Sequence, residues 1–260
     1  MERLTGNTRP AGIGSGALRA WGLIFLLAGA VGRGLIQNTM LGLGTMNTEQ
    51  ILQLLNEAEG VMGMVTLSLV LQAIESCAVP IYAFLTVEGY QKTTDYKKYL
   101  LRVIGIALVT ELLYNIVMNG SVLAMNTRNP VWCVVLGLIL LGLFRYVDEK
   151  MKGNKLMKFV MAVAGILWSS MLKVDYGVFF MAILLTLWVM RNKTQFRLFV
   201  GMGVTALCTA ISPFYLAATM GFMAIHFYNG EKSESSKVIH YVAYPALLLV
   251  CALAPVILSF

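Results

Sequence analysis

Glu75, Glu88 and Glu111 interrupt apolar sequence within residues 73–117, a stretch that reads as two membrane-spanning helices joined by a short basic turn. A carboxylate at bilayer depth is costly, so it pairs inside a bundle or marks a working site. Arg33, in the first apolar segment, is the candidate counter-charge. Counted along their helices at 1.5 Å per residue, Arg33, Glu75 and Glu111 each fall about 20 Å from the same end. Arg33 is therefore expected to pair with Glu75, Glu111 or both through its planar fork. Such a group either locks three helices together or polarises and deprotonates a substrate.

A second polar layer gathers Glu88, Tyr90, Arg102, His226, Tyr228, Glu231 and Lys232 nearer the other helix ends. Glu88 and His226, one of 2 histidines, are the candidate general bases there. A histidine at a helix end also reads as a plain interfacial residue; His240, beside Lys237, is a weaker candidate. Pro80 removes one backbone hydrogen bond and should bend its helix between the layers. A third group holds Asn115, Asn119, Arg128, Asn129, Lys173, Asp175 and Tyr176. Asp175 is expected there to cap the next helix or to pair with Lys173, and Asp95 to cap the helix after the basic turn. Cys77, Cys133, Cys208 and Cys251 lie in apolar runs without a CxxC pair and read as packing residues. No metal-ligand cluster, phosphate-binding glycine loop or nucleophilic triad signature occurs.

The elements that must carry these groups follow from composition. Hydrophobic residues make up 58% and charged residues 13%, against roughly half and a quarter in soluble domains. The expectation is an all-α, polytopic transmembrane helix bundle of about nine spans, with eight or ten also open. The spans fall near 18–42, 61–90, 97–118, 131–147, 156–173, 175–190, 196–212, 214–229 and 238–258. Residues 1–17 read as a flexible cytoplasmic arm and 18–260 as a single helical domain. Residues 46–58 suit an interfacial helix capped by Thr48. With the N-terminus in the cytoplasm, every one of the 20 basic residues except Arg33, Arg128 and Lys173 falls on the inner side. That alternation supports both count and orientation. It also makes the net charge of +7 a poor sign of a nucleic-acid partner.

The run from Pro80 to Arg102, PIYAFLTVEGYQKTTDYKKYLLR, followed by TELLYN at Thr110–Asn115, resembles the TraX family. These membrane proteins are named for a conjugation-associated protein implicated in N-terminal acetylation of pilin. Further matches follow in order: Asn129–Pro130 opening a Gly-Leu-rich span, VDYGV at Val174–Val178, His226 to Lys232, and Tyr244–Pro245. The resemblance covers about residues 18–255. Family members commonly carry Asp-His midway along the first span, where this chain has Gly32-Arg33-Gly34. They also commonly carry His after the late Tyr-Pro, where it has Ala246-Leu247.

The resemblance implies a multi-pass protein of the cytoplasmic (inner) membrane that transfers an acetyl group from acetyl-CoA to a peptide or small molecule. The acyl donor and the lipid bilayer are the implied partners. On that reading Glu88, His226, Arg33, Glu75 and Glu111 are the catalytic candidates. Arg102, Asn115, Asp175, Tyr176, Tyr228, Glu231, Lys232 and Tyr244 would bind substrate. Lys92, Lys97, Lys98, Arg191, Lys193 and Arg197 would face the donor's phosphates. A non-catalytic membrane assembly partner is the alternative. A small-solute transporter is another, although no internal repeat relates the two halves.

Overall fold

The computed structural model describes residues 12–57, 60–123, 126–231 and 237–258. These residues form helices joined by turns, with two isolated backbone bridges and no strand among them. Helix α1 (Ser15–Gly29) runs straight into a wider π-helical stretch, Ala30–Met40. After α2 (Thr48–Glu57), α3 (Val61–Ser76) and α4 (Ala78–Lys92) form one bent rod. Next come α5 (Tyr96–Asn119), α6 (Val131–Lys150), α7 (Lys155–Met171) and α8 (Gly177–Val189). Helices α9 (Thr194–Cys208), α10 (Thr219–His226) and α11 (Lys237–Leu258) complete the chain.

Among the described residues, four segments are long and apolar enough to cross a membrane: Ser15–Met40, Val61–Lys92, Tyr96–Asn119 and Val131–Lys150. Gly177–Val189, Phe196–Cys208 and Val242–Ala254 are shorter apolar helices. The segment expected to span over 214–229 is a 3-10 turn, Pro213–Leu216, followed by the eight residues of α10. Eight residues rise only about 12 Å, less than half of the ~30 Å hydrocarbon core.

Local chemistry sets several boundaries. The bend between α3 and α4 falls at Cys77, three residues before Pro80, whose missing N–H leaves the helix one bond short. Side chains there turn to the Pro213 region: Ser76 Oγ donates to the Phe214 carbonyl (2.9 Å) and Cys77 Sγ to that of Ala217 (3.1 Å). Asp95 caps α5 by accepting the Lys98 N–H at 3.0 Å, and that bond holds its carboxyl below the usual range. Asn47, not Thr48, caps α2, through reciprocal 2.9 Å bonds with Gln50. Of the expected arm, residues 1–11 lie outside the described residues, and Ser15 already begins α1. Ile13 pairs with the chain after α10, donating to Phe227 O (2.8 Å) and accepting from Asn229 N (3.1 Å).

The largest core cluster lies between α4, α6 and α8, around Ile81, Phe84, Leu141, Phe179, Ile183 and Leu187. Gly137 lets α6 approach α8 closely: a Cβ there would lie 2.6 Å from Leu184. Helix α1 packs on α4, α4 on α6, α6 on α5, α5 on α11, and α11 back on α1. Those five helices close a ring.

Candidate functional site

A cavity of about 490 Å³ occupies that ring. One end is lined by Arg19, Glu88, Lys92, Thr93, Arg102 and Tyr228, the other by Glu75, Tyr176 and Tyr244. Leu23, Leu26, Leu85, Val103, Ile106 and Phe180 are among the apolar residues between them. Lys92 and Arg102 are exposed, so this end is the mouth. Thirteen residues separate Glu75 from Glu88, a rise of about 20 Å. The cavity therefore joins two of the polar layers expected from sequence.

At the deep end Arg33 bridges two carboxylates. Its Nη2 lies 2.8 Å from Glu75 Oε2 and its Nη1 2.8 Å from Asp175 Oδ2. Tyr176 donates its hydroxyl to Glu75 Oε2 (2.9 Å) and Tyr114 donates to Asp175 Oδ2 (2.9 Å). Both bonds that Glu75 accepts end on Oε2, leaving Oε1 without one among the described residues. With both carboxylates ionised the cluster carries one net negative charge.

The local fold is shaped to hold this cluster. A Cβ on Gly29 would fall 1.9 Å from Glu75 Cδ, so only glycine leaves room for that carboxylate against α1. Arg33 projects from the π-helical stretch, a geometry that is common at functional sites. Asp175 and Tyr176 lie just ahead of α8, on a loop pinned to the one before α6. Arg128 N donates to Lys173 O (2.9 Å) and Asp175 N to Arg128 O (2.9 Å). Irregular backbone inside an apolar bundle is tolerated only when its polar groups are satisfied in this way. Tyr176 has φ +59°, unusual without glycine, and aims its ring at Glu75. Strain of this kind, costing roughly 1–3 kcal/mol, concentrates where a side chain must be aimed.

At the mouth Lys92 lies 2.7 Å from Glu88, and the Tyr228 hydroxyl donates a short hydrogen bond to the same carboxylate. Lys92 also donates to the Gly230 carbonyl (2.9 Å), tying α4 to the segment paired with Ile13. Arg197 lies with its guanidinium 4.9 Å from the centre of the Phe84 ring, its Nε buried and unbonded.

Several expectations are corrected. Of the two carboxylates expected for Arg33 it meets Glu75 and not Glu111, which accepts from Trp132 Nε1 (3.0 Å) and the Asn129 N–H (3.1 Å), with Arg128 at 3.9 Å. Asp175 neither caps α8 nor pairs with Lys173, because Arg33 and Tyr114 take its carboxylate. His226 is exposed on α10 and lines a separate groove instead of the cavity that Glu88 lines. Asn115 bonds Asn119 and the Val122 carbonyl, away from the cavity. Lys98 pairs with Asp95, Arg191 lies on Trp188 and Lys193 beside Phe196; these three, Lys97, Arg197 and Glu231 do not line the cavity. Lys232 lies outside the described residues. Arg19, a lining cation, had no role in the sequence reading. Its one available signal was a position one helix face above Leu23 and Leu26.

The fold and the site define a helical protein with membrane-length segments around an interior cavity, charged at both ends. The family model described as TraX protein matches residues 37–254, and the chain belongs to that family. The match begins after Arg33, so α1, with the lining Arg19, and Arg33 in the π-helical stretch lie outside it. No curated protein and no solved structure matches the chain.

Proposed function

We propose that this protein is a membrane acyltransferase that takes an acetyl group from acetyl-CoA at the Lys92 end of the cavity and delivers it at Glu75. The observation that carries the reading is the cavity itself, with three cations at its mouth and a bonded carboxylate about 20 Å deeper. An extended pantetheine arm, equivalent to about four to five backbone residues at 3.3–3.6 Å each, reaches roughly 15 Å down it and covers most of that depth. The donor's phosphates rest on Arg19, Lys92 and Arg102, the arm follows the apolar wall, and the thioester stops beside Glu75 and Tyr176.

Glu75 then serves as general base. It accepts the proton of the acceptor's O–H or N–H as the acceptor lone pair bonds to the thioester carbon. The carbonyl electron pair moves onto oxygen, toward the Tyr244 hydroxyl that also lines this end. The pair then reforms the carbonyl, the C–S bond breaks, and CoA leaves as thiolate and takes the proton from Glu75. Arg33 balances the charge of Glu75 and Asp175 throughout. The distribution of basic residues supports a mouth that opens to the cytoplasm from the inner membrane.

The test uses purified protein in lipid nanodiscs with labelled acetyl-CoA. Wild type should bind the donor and release CoA, Lys92→Gln and Arg102→Gln should weaken binding, and Glu75→Gln should bind but release none. No binding at millimolar donor ends the reading. One observation favours a non-catalytic assembly partner: among the described residues no histidine lines the cavity, and arginine stands where family members commonly have Asp-His. A Glu75→Gln strain with wild-type phenotype, beside a deletion strain with a defect, would select that reading instead.

A further inference from the structure

A second groove, of about 240 Å³, runs between the first half of α9 and the end of α10, lined by Leu198, Phe199, Met202, Phe222, Met223, His226 and Phe227. Phe199, Met223 and Phe227 are largely exposed there, and His226, at the end of α10, is exposed too. Helices α9 and α10 pack against each other through the Pro213 turn, so the start of α9 and the end of α10 share one end of the protein. Two cations stand at that end, Arg191 and Lys193, in the turn that leads into α9 about one helical turn before Leu198.

Neither cation has a carboxylate partner among the described residues. Arg191 lies 4.2 Å from the centre of the Trp188 ring and Lys193 5.9 Å from that of Phe196. By contrast, Lys92, Lys98, Arg145 and Lys158 each pair with an acidic side chain. An apolar trough below, aromatic rings at the rim and uncompensated positive charge above match one occupant. A fatty chain fills the trough and an anionic head meets the cations, with the His226 ring at the glycerol level.

We propose that this groove binds an anionic phospholipid, held by Arg191, Lys193 and His226 at its head and by Met202, Phe222 and Met223 along one chain. The inference is independent of the acyl-transfer reading, because none of these residues lines the central cavity. It also gives Arg191 and Lys193 a ligand other than the acyl donor.

Native mass spectrometry of the detergent-purified chain tests it, with phosphatidylglycerol and phosphatidylcholine of identical chains as probes. One phosphatidylglycerol should be retained at least fivefold more strongly than phosphatidylcholine. The double variant Arg191→Gln/Lys193→Gln should abolish that preference. Met223→Trp, which fills the trough, should remove the tight adduct altogether. The control Lys150→Gln/Lys152→Gln, on another basic turn, should keep the preference. Equal retention of the two lipids overturns the proposal, as does a preference that survives both groove variants or disappears in the control. A protein dimer that Met223→Trp dissolves would overturn it too, by making a second copy the occupant.

Discussion

Arg33 is the residue on which the deep end of the cavity depends. It stands between Glu75 and Asp175, and its side chain is only 22% exposed. Removing one partner of a buried pair leaves uncompensated charge, at a cost of about 3–5 kcal/mol. Arg33→Met should therefore lower the thermal midpoint in detergent far more than Arg33→Lys, which keeps the charge but not the two-pronged fork. Glu75→Gln should abolish CoA release. Glu111→Gln should leave release within twofold while loosening the Arg128–Trp132 corner, a contrast read by the same labelled-donor assay. Glu75 and Glu111 are indistinguishable by spacing and counted depth. Their different partners come from the rotation of α3 and α5 about their own axes and from where the loops before α6 and α8 fold back.

At the scale of elements, the contact between α1 and α3 turns on Gly29. Gly29→Ala would drive a methyl carbon into the Glu75 carboxylate and should reproduce the activity loss of Glu75→Gln in an otherwise folded protein. Gly105→Ala is the matched control: nothing lies within 4 Å of its Cβ position on α5. It should gain roughly 0.5–1 kcal/mol from reduced chain entropy, measured as a raised thermal midpoint. Gly221→Ala should do the reverse, because its Cβ would fall 2.4 Å from the Cys77 carbonyl at the bend of the α3–α4 rod. Overpacking of that sort costs about 1–3 kcal/mol. Most element ends were legible in sequence, including the bend ahead of Pro80, the Asp95 cap and the Asn129–Pro130 lead into α6. The segment 214–229 was not, because apolar composition alone cannot separate a crossing helix from a turn and two short helical turns.

Over the whole molecule, one cavity inside the five-helix ring opens where Lys92 and Arg102 are exposed. Leu85→Cys and Ile106→Cys, both on its wall, should react with an impermeant maleimide in inside-out vesicles but not in right-side-out ones. Coenzyme A should slow that labelling. Labelling from the opposite face would reverse the orientation argued from the basic residues.

From sequence alone came the all-helical membrane-type fold, the TraX relationship, most helix ends and the polar groups that matter, because apolar periodicity, caps and proline act locally. Which of those groups meet was decided only in three dimensions. Asp175 joined Glu75 on Arg33 where Glu111 stayed apart, His226 lined a separate groove, and Arg19 joined the cavity. A charge in an apolar bundle must be satisfied by whatever the packing brings within about 3 Å, and packing depends on helix rotation and on loops that fold inward. Counting along single helices contains neither.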